Sequence, residues 1–395
     1  MQEGFCKMRF RKRNETFGRR QQMSHLKFSK NVLEKFCKDA FGKFGFSVEE
    51  SSIITDVLIT ADMYGIESHG MQRLSRYHKG IESGRIHPDG RLEIVFETPV
   101  SAVFDGHNGM GQLISYRAME TAIKKAHQTG VAFVSVRNSN HYGIAGYYAQ
   151  MAAKEGLIGI SCTNSEAIMV PTFSRQAMLG SNPVEMAVPA EPYPFLYDAS
   201  TTVVTRGKLE MYRKAEKPLP DGWALNSNGL PTNDAEDVLQ NIIHRKGGGI
   251  VPLGGSEEHS GSHKGYGYGM MCEIFSSILS LGLTSNHTNI GEIGGTCHGF
   301  AAIDPSIFGN PQEIREHFSA FLQELREAPK ASGQERIYTH GEKEALAYER
   351  HLKEPIPVDI KTVIEMKQMS DYLEMRFEDY FGNIELDVNN YHSVY

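Results

Sequence analysis

Cysteine is scarce in this chain: Cys6, Cys37, Cys162, Cys272 and Cys297 are the five in 395 residues, and none forms a CxxC pair. Sparse, odd-numbered cysteine excludes a disulfide framework, offers no structural zinc site and suits a reducing, cytoplasmic compartment. Cys37, Cys162 and Cys272 lie in apolar-periodic surroundings and read as small buried hydrophobes. Basic charge is not in excess either, with 41 Lys+Arg against 48 Asp+Glu and a formal charge of −7, which argues against a nucleic-acid partner. Long hydrophobic runs are missing. The longest, from Met270 to Leu283, is interrupted by Glu273 and several serines, and a bilayer span needs about 20 apolar residues. No G-x-G-x-x-G and no G-x-x-x-x-G-K-[ST] occurs, and GHNGMG spaces its glycines wrongly; a standard Rossmann dehydrogenase or P-loop enzyme is disfavoured. Metal signatures are equally thin. His259 and His263 are four apart in EEHSGSH, but the glycine between them spoils a helix, and no metal is expected.

What is present is ordinary globular material, 40% apolar, 10% aromatic and 23% charged, long enough for two or three domains at roughly 150 residues each. The first 22 residues carry seven Lys/Arg and two Glu without an apolar core; they read as a basic, disordered extension and not a signal peptide. From 23 to 100 the pattern is helical and then strand-like, with Ser47 and Glu50 forming an S-x-x-E capping box. Residues 101–300 alternate VAFVSV, GIAGYYAQMAAKEG, LIGISC and FLYDAS, which read as strand, helix, strand and strand. Between 214 and 249 the chain is rich in Pro, Gly and Asn, and the expectation is surface loops around a short helix. Residues 301–369 hold a strand, HGFAAID at its start, and amphipathic helices, and 370–395 form an acidic tail.

Two histidines carry the chemical interest. His69 lies in ESHG after a helix, with Arg73 four residues on, and His141 lies in SNHYG after a buried strand. Histidine titrates near neutrality and moves protons; arginine offers a planar fork to a carboxylate. A proton-moving histidine beside an acid-holding arginine is what reduction of a 2-oxo acid requires. Spacing alone leaves each histidine open to a plain packing role. Ser165 in TNSEA, Asp198 and Ser200 in DASTT, and Lys264 in SGSHKGYGYG add polar groups at strand ends and at a glycine-flanked helix start, where phosphate can bind.

The order SHGMQRL, NSNHYG, TNSEA, GSNP, DASTTVVTRGK, SHKGYG, AAIDP resembles the malate/L-lactate dehydrogenase family of NAD(P)-dependent oxidoreductases, over roughly 25–358. That family also contains ureidoglycolate, sulfolactate and 2,3-diketogulonate dehydrogenases and cyclic imino-acid reductases. The resemblance implies a mixed α/β chain whose nicotinamide-binding fold is not Rossmann. It implies a largely antiparallel sheet, beside a second domain built from both chain ends. It also implies a homodimer, NAD or NADP as cofactor, and a small 2-oxo or 2-hydroxy acid as substrate, malate or lactate first. Site residues carried over by the resemblance are His141 as favoured proton donor with His69, and Ser68 and Arg73 lining the substrate. For the cofactor they are Ser165, Asp198, Ala199, Ser200, His263, Lys264, Gly341, Glu342 and Lys343.

Two positions depart from the family pattern. Glu185 stands soon after GSNP where small apolar residues are usual, and His340 replaces a proline before Gly341. Other outcomes consistent with the same resemblance are a ureidoglycolate or diketogulonate dehydrogenase, an imino-acid reductase, or an idle nucleotide-binding protein.

Overall fold

The computed structural model describes residues 25–288, 290 and 294–386; the basic arm, Cys6 and the end of the acidic tail lie outside them. The chain opens with strand β1 (His25–Phe28) and helices α1 (Lys30–Lys43) and α2 (Val48–Met63). The Ser47 hydroxyl accepts the Glu50 N–H and the Glu50 carboxylate accepts the Ser47 N–H, so the capping box fixes where α2 begins. Two 3-10 turns cover Glu67–His69 and Met71–Arg73 before α3 (Leu74–Glu82).

The main sheet then forms. Its strands are β2 (Glu93–Thr98), β3 (Ser101–Asp105), β4 (Val131–Ser139), β5 (Ile158–Thr163), β6 (Val184–Val188) and β7 (Phe195–Ala199), with α4 (Gly111–Thr129) and α5 (Gly146–Lys154) between them. Gly130, at φ 85°, ends α4 in the left-handed conformation that glycine tolerates best. Next come α6 (Arg206–Lys214), the short strands β8 (Ala224–Leu225) and β9 (Pro231–Thr232), α7 (Ala235–His244), β10 (Gly249–Ile250) and α8 (Ser262–Glu273). Strand β11 (Thr296–Ile303), α9 (Pro311–Glu327), α10 (Glu342–His351), β12 (Ile356–Asp359), α11 (Ile360–Tyr372) and α12 (Glu378–Phe381) complete the chain.

The large sheet runs β2-β3-β4-β11-β5-β6-β7. Only β3 and β4 pair in parallel; the other neighbours are antiparallel. The architecture is mixed α/β around one central sheet. Its topology has a direct consequence. Both β4 and β5 run against β11, and β7 runs with β5, so the carboxyl ends of β4, β5 and β7 meet along one sheet edge. His141, Ser165 and Asp198 come from those ends.

Three buried clusters matter. One gathers Leu33, Phe36, Ile54, Leu58, Met71 and Tyr77 with Ile356, Val363, Met369, Met375 and Phe377, uniting both ends of the chain. Segment 370–386, read from sequence as acidic tail, therefore contributes packed residues. Phe36 meets Phe377, Tyr380 and Phe381 edge-on, and its acidic residues alternate with these rings. A second cluster joins α4 and α5 to the sheet through Ala118, Ala122, Val134, Tyr148 and Phe300. The third corrects part of the expectation at 214–249: the short helix is there as α7, but Leu209, Leu219, Trp223, Val238, Leu239 and Ile242 pack together beside the β10-β8-β9 sheet. Strands of two residues carry no readable alternation, so Pro and Gly dominated that stretch of sequence. Cys37, Cys162, Cys272 and Cys297 are buried free thiols. Among the described residues, no helix is long and apolar enough to cross a membrane.

Candidate active site

A cavity of about 1290 Å³ opens along that sheet edge, lined by Ser68, His69, Arg73, Arg76, Tyr77, Asn140, His141, Asn164, Ser165, Asp198, Ala199, Ser200, Gly341 and Lys343, among others. It exceeds the 300–1,000 Å³ typical of pockets for single small ligands, and has room for a large molecule beside a small one. The turns after α2 supply its first wall. Asp62, buried near the end of α2, accepts the Met71 N–H at 2.8 Å and so pins the turn carrying His69 and Arg73. Burial raises the Asp62 carboxyl to about 8; the Met71 hydrogen bond opposes this and Glu67 adds to it. Arg73 Nε donates to Ser68 O at 2.6 Å, which fixes the plane of its guanidinium. Ser68 Oγ lies 2.9 Å from His69 Nδ1.

The second wall is the loop after β4. The His141 and His69 rings stack at 5.5 Å between centroids, 24° apart, which brings together two histidines 72 positions apart in sequence. Gly143 N–H donates to His141 Nδ1 at 3.4 Å, and Tyr77 Oη lies 2.8 Å from the same atom. With two partners on Nδ1, Nε2 is the ring atom left for another molecule. Burial lowers both imidazoles, His69 to about 3 with Arg73 and Arg76 contributing, and His141 well below its ordinary value with Arg76 and His69 contributing. Each ring is neutral at neutral pH in a cavity wall that already carries arginine charge.

Asn140 orders this loop by donating from Nδ2 to Asn108 O at 2.9 Å and to Gly109 O at 3.0 Å. Beneath it His298, fully buried in β11, contacts Thr163 Oγ1 at 2.8 Å, Ser139 Oγ at 2.9 Å and Asn140 O at 3.2 Å. It ties the ends of β4 and β5 together and stacks on Tyr142 at 4.3 Å. Burial lowers it to about 3. Neither His298 nor Asp62 stood out in the sequence, because each sits inside a regular apolar-rich element, and Tyr77 lies in the polar helix α3 between Arg76 and His78. For Asp62 and His298 the available signal was a polar residue among buried neighbours.

On the far side, Asp198 takes the Gly146 N–H on Oδ2 at 2.8 Å, at the start of α5. Enclosure raises its carboxyl to about 6, the Gly146 bond opposes this, and Glu344 adds to it. Ser165 Oγ accepts the Ser181 N–H at 3.1 Å. Of the other residues marked from sequence, Gly341 and Lys343 line the cavity, whereas Glu342, His263 and Lys264 are not among its lining residues. Glu342 is 1% exposed and turns inward, paired with Arg336 and Arg326 and accepting the Thr339 N–H; that environment makes it a structural anchor. His263 and Lys264 stand exposed in the first turn of α8. His340 also lines the cavity, and its carbonyl accepts the Leu196 N–H at 3.2 Å.

The family model for malate/L-lactate dehydrogenase matches residues 28–367. A malate dehydrogenase of Pyrococcus abyssi (strain GE5 / Orsay) is 44% identical over 349 residues, covering 88% of this chain and 95% of that protein. A malate/(S)-sulfolactate dehydrogenase of Methanothermus fervidus is 36% identical over 336 residues, covering 84% and 93%. Among solved structures, malate dehydrogenase from Entamoeba histolytica superposes with a TM-score of 0.86 at 34% identity, covering 89% of this chain and 99% of that one. That of Pyrococcus horikoshii OT3 gives 0.82 at 40% identity, covering 90% and 97%. Matched along nearly its whole described length in sequence and in fold, the chain belongs to the malate/L-lactate dehydrogenase family.

Proposed function

We propose that the protein is a nicotinamide-dependent dehydrogenase that interconverts a small 2-oxo acid and its 2-hydroxy acid, with malate and oxaloacetate as the first pair. The observation that carries the reading is the stacked His69–His141 pair beside Arg73 in one cavity. The cavity accommodates a dinucleotide: its volume of about 1290 Å³ leaves room beside the histidines, and Ser165, Asp198, Ala199, Ser200, Gly341 and Lys343 line it with hydroxyl, carboxylate, backbone and ammonium groups suited to ribose and phosphate. The fold that would hold it is the antiparallel sheet, without a Rossmann fingerprint, and the helical unit built from both chain ends closes the substrate side.

When bound, the nicotinamide supplies the hydride that reaches C2 of the 2-oxo acid. Arg73 holds the substrate carboxylate through its Nη pair, its Nε being engaged by Ser68 O. His141, once protonated, turns Nδ1 from acceptor of the Gly143 N–H into a donor to Tyr77 Oη and delivers the Nε2 proton to the substrate oxygen as the carbonyl becomes an alcohol. An anionic substrate offsets the arginine field that helps keep the imidazole neutral, so protonation and substrate binding are coupled. Arg76 adds a second positive group on the same wall, which favours a diacid over a monoacid. The half-exposed Met271, Ile274, Phe275, Ile278 and Leu279 on and after α8 form an apolar face suited to a second copy, supporting a homodimer.

The test is absorbance at 340 nm with NADH and with NADPH, against oxaloacetate, pyruvate, 2-oxoglutarate, oxalurate, diketogulonate and a cyclic imine. Oxidation with oxaloacetate supports the reading and selects the cofactor. Binding of both cofactors without turnover on any member would overturn it.

A further inference from the structure

The helix that begins at Ser262 buries the wrong side chains for an ordinary core helix. Ser276, Ser277 and Ser280 are inaccessible and Glu273 is 3% exposed, while Ile274, Phe275, Ile278 and Leu279 are each at least 40% exposed. At Ile274–Ile278 the α-helix relaxes into a π-turn, a distortion that tends to occur where side chains must be re-aimed. Glu273 immediately precedes it.

Five hydrogen bonds converge on the Glu273 carboxylate. Oε1 accepts from Asn164 Nδ2 at 3.3 Å, Ser277 Oγ at 2.8 Å and Ser285 N–H at 2.8 Å. Oε2 accepts from Asn182 Nδ2 at 2.8 Å and Ser285 Oγ at 2.6 Å. No Lys or Arg ion pair with Glu273 is present among the described residues. Each asparagine reaches onward. Asn182, fully buried in the left-handed region at φ 31°, accepts the Ser165 N–H on Oδ1 at 3.2 Å. Asn164 accepts the Cys297 N–H on Oδ1 at 2.8 Å. One carboxylate thus spans the loop after β5 and the GSNP loop before β6, both of which line the cavity through Asn164, Ser165 and Ser181.

We infer that Glu273 is a positioning residue for the cofactor side of the cavity: it acts through Asn164 and Asn182 to hold Ser165 and its neighbours in the geometry that receives the dinucleotide. The inference rests on the proposed dehydrogenase reading. Its two oxygens do separate work, Oε1 fixing the loop after β5 and Oε2 fixing the GSNP loop. Charge and length are both required, since an amide would set its NH2 against the Asn182 donor and a shorter side chain could not reach both asparagines. Glu273 is buried and is not among the residues that line the cavity.

The experiment compares wild type, Glu273→Gln, Glu273→Asp and the milder Ser285→Ala, reading NADH and NADPH binding by fluorescence, KM and kcat with oxaloacetate, and melting temperature. Misplacing a binding loop by about 1 Å costs up to about 100-fold. Glu273→Gln and Glu273→Asp should therefore weaken dinucleotide binding about 10–100-fold with KM for oxaloacetate nearly unchanged. Ser285→Ala, which keeps the carboxylate and four of its five hydrogen bonds, should show the same split about tenfold more weakly. Dinucleotide affinity equal to wild type in folded Glu273→Gln, or equal losses in both KM values across the series, would overturn the inference. If Glu273→Gln fails to fold, Ser285→Ala decides by the same split. Wild type that binds neither dinucleotide would instead refute the dehydrogenase reading.

Discussion

The Asp62 carboxylate occupies the space that a Cβ on Gly70 would need, with Oδ1 only 2.0 Å from that position. Asp62 is not free to swing away, because its other oxygen holds the Met71 N–H. The glycine of the SHG motif is therefore required by a side chain eight residues earlier, and the contact sets how His69 and Arg73 enter the cavity.

Gly70→Ala should accordingly destabilise the protein by about 1–3 kcal/mol, the usual range for overpacking a buried site, and should depress kcat/KM more than its stability loss explains. Urea unfolding together with steady-state kinetics measures both. Wild-type values for both would show that the turn yields without consequence.

His141→Ala should lower turnover about 10²–10⁴-fold while dinucleotide binding persists. Tyr77→Phe, which removes the partner of His141 Nδ1, should lower turnover by a smaller factor. If His69→Ala abolishes turnover and His141→Ala does not, the roles of the two stacked rings are exchanged.

Arg73→Lys should raise KM for the 2-oxo acid about tenfold with kcat less affected, because an ammonium cannot offer the bidentate fork. An unchanged KM would remove Arg73 from the carboxylate.

The histidines carry a pH signature. Burial and the arginines hold His69 near 3 and His141 well below 6.5. Both should titrate below the ordinary range by NMR in the free protein, and His141 should move upward when a non-reacting carboxylate such as oxalate is added. For stability the sign follows from the depressed values: the unfolded chain binds the extra protons, so this contribution is intact above about 6.5 and is lost as pH falls toward the folded values.

Glu185 gives the opposite sign. It is fully buried in β6 between Asp198 of β7 and Ser161 of β5, and burial with Asp198 and Cys162 nearby raises it well above 4.5, which the Ser161 hydroxyl opposes. The folded state then binds the extra proton, so stability falls as pH climbs above about 4.5 toward the raised folded value. The melting-temperature advantage of Glu185→Gln over wild type should grow across that interval; a constant difference would show that Glu185 is not the source.

Much of this was legible in the residues. The S-x-x-E box marks the start of α2, Gly130 the end of α4, and the apolar runs VAFVSV, LIGISC and FLYDAS are strands of the central sheet. The same local signals marked His69, His141, Ser165 and Asp198 as polar groups at element ends. Local pattern failed where contact is long-range. The aromatic residues near the C-terminus read as tail because the helix they cover, α1, lies more than 300 positions away in sequence, and the cluster of Leu209, Trp223 and Val238 hid behind two-residue strands.

Composition and periodicity determined which stretches form helices and strands and which residue types are available for proton transfer and acid binding, and the order of motifs carried the fold class. Those are properties of neighbouring residues and of backbone propensity. The tertiary structure alone decided that His69 stacks on His141, that Glu342 turns inward to Arg336 and Arg326, and that His298 and Glu273 brace the cavity from below. Strand direction brings the ends of β4, β5 and β7 to one edge, and burial then dictates which of the polar groups gathered there must find partners and which face the cavity.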